Sequence, residues 1–153
     1  MKRFWLVLGA CVMALALLLS TDVLSKEKKG ATVWPAGNIK WEEMKGGPPG
    51  VKVANLWGDI AKGAYGTLVM FPPGEKHPLR SHTADVKVIV ISGTFTYTPD
   101  GGSTQLLGPG SYLMVPGGLK HMSGTSDDGP CEIFQESSGK FDMHMVDTGM
   151  MKK

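Results

Sequence analysis

Nine residues, GEKHPLRSH from Gly74 to His82, hold two histidines, an arginine and a proline directly ahead of the apolar run VKVIVIS. Imidazole ligates transition metals and carries protons near neutral pH, whereas guanidinium is a permanent planar cation shaped for carboxylate or phosphate. A third histidine, His121, follows in GGLKHMSG and a fourth, His144, in FDMHMV. Two chemistries are therefore on offer, a metal centre or a pocket for an anion. In an unbroken strand the two-residue period places Arg80, His82, Val86 and Val88 on one face and turns His77 and Asp85 to the other. A metal beside His82 then meets the Arg80 cation. At an effective dielectric near 20 that repulsion is roughly 4 kcal/mol per unit of metal charge at about 4 Å, and about twice that for a divalent ion. The remaining metal set, His77, His82, Asp85 and His121, converges only if the strand bulges at Pro78.

These side chains need a scaffold, and composition bounds what it is. With 153 residues, 42% of them hydrophobic, the chain has material for one modest domain. Its 21 glycines and 10 prolines interrupt helices throughout, which points to an all-β fold. From Val51 onward, β-favouring runs recur between turn signals: VKVANLW, YGTLVMF, VKVIVIS, TFTYT, SYLMVP, CEIFQES and FDMHMV. Separators such as PPGEK, PDGGS, GPG and DDGP are turns. Short strands at this spacing form a sandwich or barrel, with VKVIVIS as a central strand.

Residues 1–25 stand apart: a basic start, an apolar run from Phe4 to Leu19, then small and polar residues. This reads as a signal peptide cleaved before Lys26, so the protein is expected in the periplasm or secreted. A membrane span wants about 20 apolar residues, and none is expected after cleavage. The segments that follow are an N-terminal arm at 26–50, closed by GGPPG, a domain at 51–147 and a tail at 148–153. Without residues 1–25 the chain keeps 14 Lys and Arg against 13 Asp and Glu, a formal charge of +1 that leaves no nucleic-acid footprint. Cys11 departs with the signal, so Cys131 has no internal disulfide partner and reads as a buried, inert thiol.

The domain resembles a cupin. The family's first motif, G-x5-H-x-H-x3-E-x6-G, falls on Gly74, Arg80, His82, Val86 and Gly93 with every spacing kept. The second, G-x5-P-x-G-x2-H-x3-N, falls on Gly110, Pro116, Gly118 and His121, with Thr125 in the last place. The run from Leu56 to Val146 is similar to a bacterial cupin subfamily of unknown function. The resemblance implies a jelly-roll barrel of two antiparallel sheets, with three histidines and a glutamate holding iron, manganese, zinc or nickel in its mouth. Here Arg80 and Val86 replace the first histidine and the glutamate, so of the ligand positions only His82 and His121 persist.

The reading drawn from these residues is an exported cupin whose barrel mouth, lined by Arg80, His82, His121 and Met114, binds a small anionic organic molecule. If it is an enzyme, His82 or His121 is the base and Arg80 neutralises charge developing on a substrate carboxylate or enolate. One alternative is a metal-dependent dioxygenase or isomerase built on His77, His82 and His121. Another is a non-catalytic sensor or structural partner, with an edge strand offering a route to a homodimer. Fold alone does not rank these. Phe71, Tyr97 and Phe134 are core or pocket wall, and His144 decorates a terminal strand. Ser123 lies near His121, but the sequence supplies neither the acid nor the oxyanion hole a hydrolase needs.

Overall fold

The structure is a computed structural model that describes residues 30–147. The signal peptide, Cys11 and the tail at 148–153 lie outside the described residues. The chain divides into two units, residues 1–33 and 34–153. Of the first, the described residues 30–33 carry no regular element. The second is all-β, apart from one 3-10 turn at Ala36–Asn38.

Its strands form two antiparallel sheets. The larger has the order β1 (Glu42–Glu43), β2 (Lys52–Gly58), β3 (Tyr65–Phe71), β10 (Cys131–Ser137), β5 (Val86–Ser92) and β8 (Tyr112–Val115). The smaller has the order β11 (His144–Met145), β4 (Lys76–Ser81), β9 (His121–Thr125), β6 (Phe95–Pro99) and β7 (Gln105–Leu107). This is the two-sheet architecture expected from the turn-punctuated sequence. The VKVIVIS strand lies between β10 and β8, one place in from the edge, and β3 and β10 occupy the middle.

Strict alternation fixes which face of each strand is inside. In β5, Val86, Val88 and Val90 are buried while Lys87, Ile89 and Ile91 are exposed, and β10 buries Cys131, Ile133, Gln135 and Ser137. Val51, Val69, Phe71, Phe95 and Ile133 join the β5 valines to form the apolar core between the sheets. Cys131 is fully buried there, and burial pushes its thiol up to about 11. Burial likewise raises the Tyr65 hydroxyl to about 12, although it accepts a hydrogen bond from Gln135 Nε2 at 2.6 Å.

The motif glycines hold the corners: Gly74, Gly93, Gly110 and Gly118 have φ of 70°, 74°, 84° and 78°, where side chains are disfavoured. At Gly93, a Cβ would also collide with the Pro130 carbonyl, so the turn from β5 to β6 requires the bare backbone.

Strands β1, β4, β7 and β9 fall outside the seven runs marked by β propensity. Proline and charge obscure KHPLRS, and glycine and serine obscure HMSGT. Their strand conformation comes from neighbours, since β9 lies between β4 and β6 and pairs with both.

Candidate functional site

A cavity of about 300 Å³ opens between the sheets. Its two walls differ in chemistry because each strand alternates and each sheet contributes one inner face. Val69, Val86, Val88, Leu113, Val115 and Ile133 make an apolar wall on the six-stranded sheet. His77, Arg80, Tyr97, His121 and Ser123 make a polar wall on the five-stranded sheet, and His82, just past β4, joins them. Phe141, Met143 and Met145, from the segment leading into and through β11, also line it.

His77 reaches this wall through a bulge. Between the pairs His77↔Ser123 and Arg80↔His121, β4 advances three residues while β9 advances two, so β4 carries one extra residue around Pro78. Proline lacks the N–H that a ladder needs and suits such a position. The bulge cancels the parity that turns His77 outward in a regular strand, and His77 and Arg80 both point inward. The His77 ring packs against Phe71, with centroids 5.1 Å apart.

Arg80 is 7% exposed. Its Nη2 donates to Ser123 Oγ at 2.7 Å and its Nη1 to the Pro78 carbonyl at 3.3 Å. Nε has no partner, and among the described residues no carboxylate pairs with the guanidinium. Burial lowers its pKa to about 10, which leaves it charged at neutral pH. Removing a cation from water without a counter-charge costs several kcal/mol, so this side chain sets the electrostatics of the site.

The two histidines of the cupin motifs are held by backbone carbonyls. His82 Nδ1 lies 2.6 Å from the Asp142 carbonyl and His121 Nδ1 3.0 Å from the Leu119 carbonyl. A carbonyl only accepts, so each Nδ1 carries the proton and each Nε2 is left as a free acceptor. The rings lie 5.2 Å apart, and His82 also packs on Phe141 at 5.1 Å. Burial, with Arg80 adding repulsion, lowers His77 and His121 to about 4, and burial lowers His82 as well. All three imidazoles are neutral at neutral pH.

Ser123 bridges this polar wall, accepting from Arg80 while lying 3.0 Å from His77 Nδ1. The sequence places Ser123 near His121 but does not show its contacts with Arg80 and His77, which come from the pairing of β4 with β9. Gln135 and Phe141 likewise reach the cavity only because β10 and the segment before β11 fold against it.

Other residues singled out in the sequence lie elsewhere. Asp85 is exposed, and its carboxylate accepts from the Gly117 N–H at 2.8 Å. Met114 is 45% exposed and pairs with Lys87 on the outer face of β8, so it is no part of the cavity, because the inner positions of that strand are Leu113 and Val115. Phe134 lies on the outer face too, beside Ile89 and Leu68, whereas Phe71 and Tyr97 line the cavity. His144 is exposed and bonded to Thr83 Oγ1.

The metal set of His77, His82, Asp85 and His121 is therefore not assembled. Among the described residues, no group of three or more His, Cys, Asp and Glu is placed to hold a metal ion. Val86, at the motif's glutamate position, is 6% exposed and part of the apolar wall. The donors present do not fit the metal centre that the cupin fold implies.

Over residues 25–144 the chain matches the family described as domain of unknown function DUF4437. The chain belongs to that family. No curated protein matches it in sequence. Among solved structures, this DUF4437 member is similar to the polyketide cyclase RemF from Streptomyces resistomycificus, with TM-score 0.65 and 20% identity over 76% of this chain and 86% of that one. It is also similar to a protein of unknown function with a cupin-like fold from Ralstonia eutropha JMP134, with TM-score 0.61 and 28% identity over 77% and 79%. The DMSP lyase DddQ from Ruegeria pomeroyi DSS-3 gives a TM-score of 0.57 and 17% identity over 79% and 74%. The DUF4437 barrel is a cupin. Likeness at these identities carries fold and leaves activity to the residues of the site.

Proposed function

We propose that the protein is an exported cupin whose cavity binds a small organic anion through Arg80, without a resident metal. The observation that supports it is the Arg80 guanidinium: buried, charged, facing the cavity, and without a carboxylate partner among the described residues. A bound carboxylate supplies the missing charge, and the fork of N–H donors left on Nη1 and Nη2 matches its two oxygens. The three neutral histidines add no competing positive charge. Export rests on residues 1–25, with their basic start and short apolar run.

The test joins elemental analysis of untagged protein with calorimetric titration of small carboxylates. The expected result is no stoichiometric transition metal, together with carboxylate binding that Arg80→Gln weakens by about 2 to 5 kcal/mol, the range for losing one partner of a buried charge pair. Stoichiometric metal, or carboxylate affinity unchanged in Arg80→Gln, overturns the reading.

A further inference from the structure

Resting on that anion-binding reading, we infer that the cavity enolises a 2-oxo acid with an apolar body, with His121 Nε2 taking the proton and Arg80 holding the carboxylate and the developing enolate oxygen. Three features of the cavity converge on this chemistry.

The first is the juxtaposition of base and cation. Arg80 and His121 are direct partners in the β4–β9 pair, which sets their side chains next to each other on the inner face. The Leu119 carbonyl fixes the His121 proton on Nδ1, so the Nε2 lone pair is the free one. A base beside a fixed cation is the pairing that carbanion chemistry needs, since negative charge develops on an oxygen as the proton leaves.

The second feature is the ligand's shape. With one polar wall and one apolar wall, a cavity of about 300 Å³ takes a small amphipathic acid, its head on β4 and β9 and its body against Val88, Leu113 and Ile133. A doubly or triply charged acid finds one buried cation, Arg80, and an apolar wall, since the other lining cations, Lys45 and Lys76, are exposed to solvent.

The third is the acidity that a neutral imidazole demands. A hydrogen next to a simple carboxylate is too weakly acidic for it, whereas one next to a ketone is within reach. A 2-oxo acid places that ketone beside the carboxylate, and both oxygens fall within the span of a single guanidinium.

The step balances without a co-reactant. The C3–H bond breaks, its proton passes to His121 Nε2, and the electron pair moves into the C2 carbonyl to give an enolate against Arg80. Return of a proton from the imidazolium to C3 restores the ketone. In deuterium oxide the imidazolium exchanges its proton with solvent, so C3 acquires deuterium.

The probe is 4-methyl-2-oxopentanoate in deuterium oxide, with loss of the C3–H signal followed by proton NMR and binding measured separately by calorimetry. The natural protein is expected to accelerate exchange about a hundredfold or more over buffer, the lower range for a positioned acid–base group. His121→Gln, shown folded by circular dichroism, is expected to return exchange to background while keeping affinity within about threefold. Binding by the natural protein with exchange at the buffer rate overturns the enolisation and leaves the anion site standing. Exchange that persists in His121→Gln overturns the assignment of the base. Absence of binding to this acid and to other small carboxylates overturns both.

Discussion

Arg80 and His121 face one another as cross-strand partners on β4 and β9, and both project into the same cavity. In the cupin motifs both positions belong to metal-ligating histidines. Here one is a cation held by Ser123 and the Pro78 carbonyl, and the other is a neutral imidazole held by Leu119. Where the cupin motifs have a pair of ligands, this chain therefore has a cation beside a neutral imidazole.

Restoring the ligands should restore metal binding. Arg80→His with Val86→Glu puts an imidazole and a carboxylate beside His82 and His121 and removes the opposing cation. The double variant is expected to bind nickel or zinc at least about a hundredfold more tightly than the natural protein by calorimetry, a gain of about 3 kcal/mol. Equal affinity in both proteins, lost on His77→Ala, shows instead that the natural site already uses a shifted first ligand.

Acid should weaken the fold through the histidines. His77 and His121 have folded-state pKa values near 4, lowered from 6.5 chiefly by burial. Between those values the unfolded chain binds more protons than the folded one, so stability is full above about pH 6.5 and declines as pH falls toward 4. Each histidine contributes on the order of 3 kcal/mol to that decline. Urea unfolding at several pH values should show the midpoint falling through this window, and a flat profile between pH 6.5 and 4.5 refutes the burial of neutral imidazoles.

Val90, 1% exposed, lies in the apolar core, and the Val90 position does not line the cavity. Val90→Asp buries a carboxylate with no cation to meet it, at a cost of several kcal/mol against a typical total of about 5 to 15 kcal/mol. Loss of the cooperative thermal transition is expected. A soluble variant that melts cooperatively near the natural temperature would falsify the assignment of this face to the core.

Residues 1–25 should be absent from the mature protein. Intact mass of protein recovered from the periplasm or medium is expected to match a chain starting near Lys26. A mass that includes Met1, or a lipid on Cys11, rules this out.

Much of the architecture was legible in the sequence because its causes are local. Alternation of valines in VKVIVIS and of apolar residues in CEIFQES depends on a two-residue period, and the turns depend on glycines that must adopt positive φ. Strand spacing and the retained motif glycines led directly to a two-sheet cupin. The unbroken strand expected to carry Arg80, His82, Val86 and Val88 on one face is not formed. Arg80 lies on β4 and Val86 and Val88 on β5, in opposite sheets, and the four meet only across the cavity. His77 was misplaced because a bulge is decided by the partner strand: only the pairing of β4 with β9 shows that one extra residue is accommodated at Pro78. Met114 was misassigned because an apolar residue on a short strand looks the same from either face until its register with Lys87 is known. The sequence also left open whether Arg80 has a counter-charge and which nitrogens of His82 and His121 are free. Those depend on Ser123 and Asp142, brought to Arg80 and His82 from 43 and 60 residues away by tertiary packing, and on which way the His121 ring turns toward the Leu119 carbonyl two residues before it.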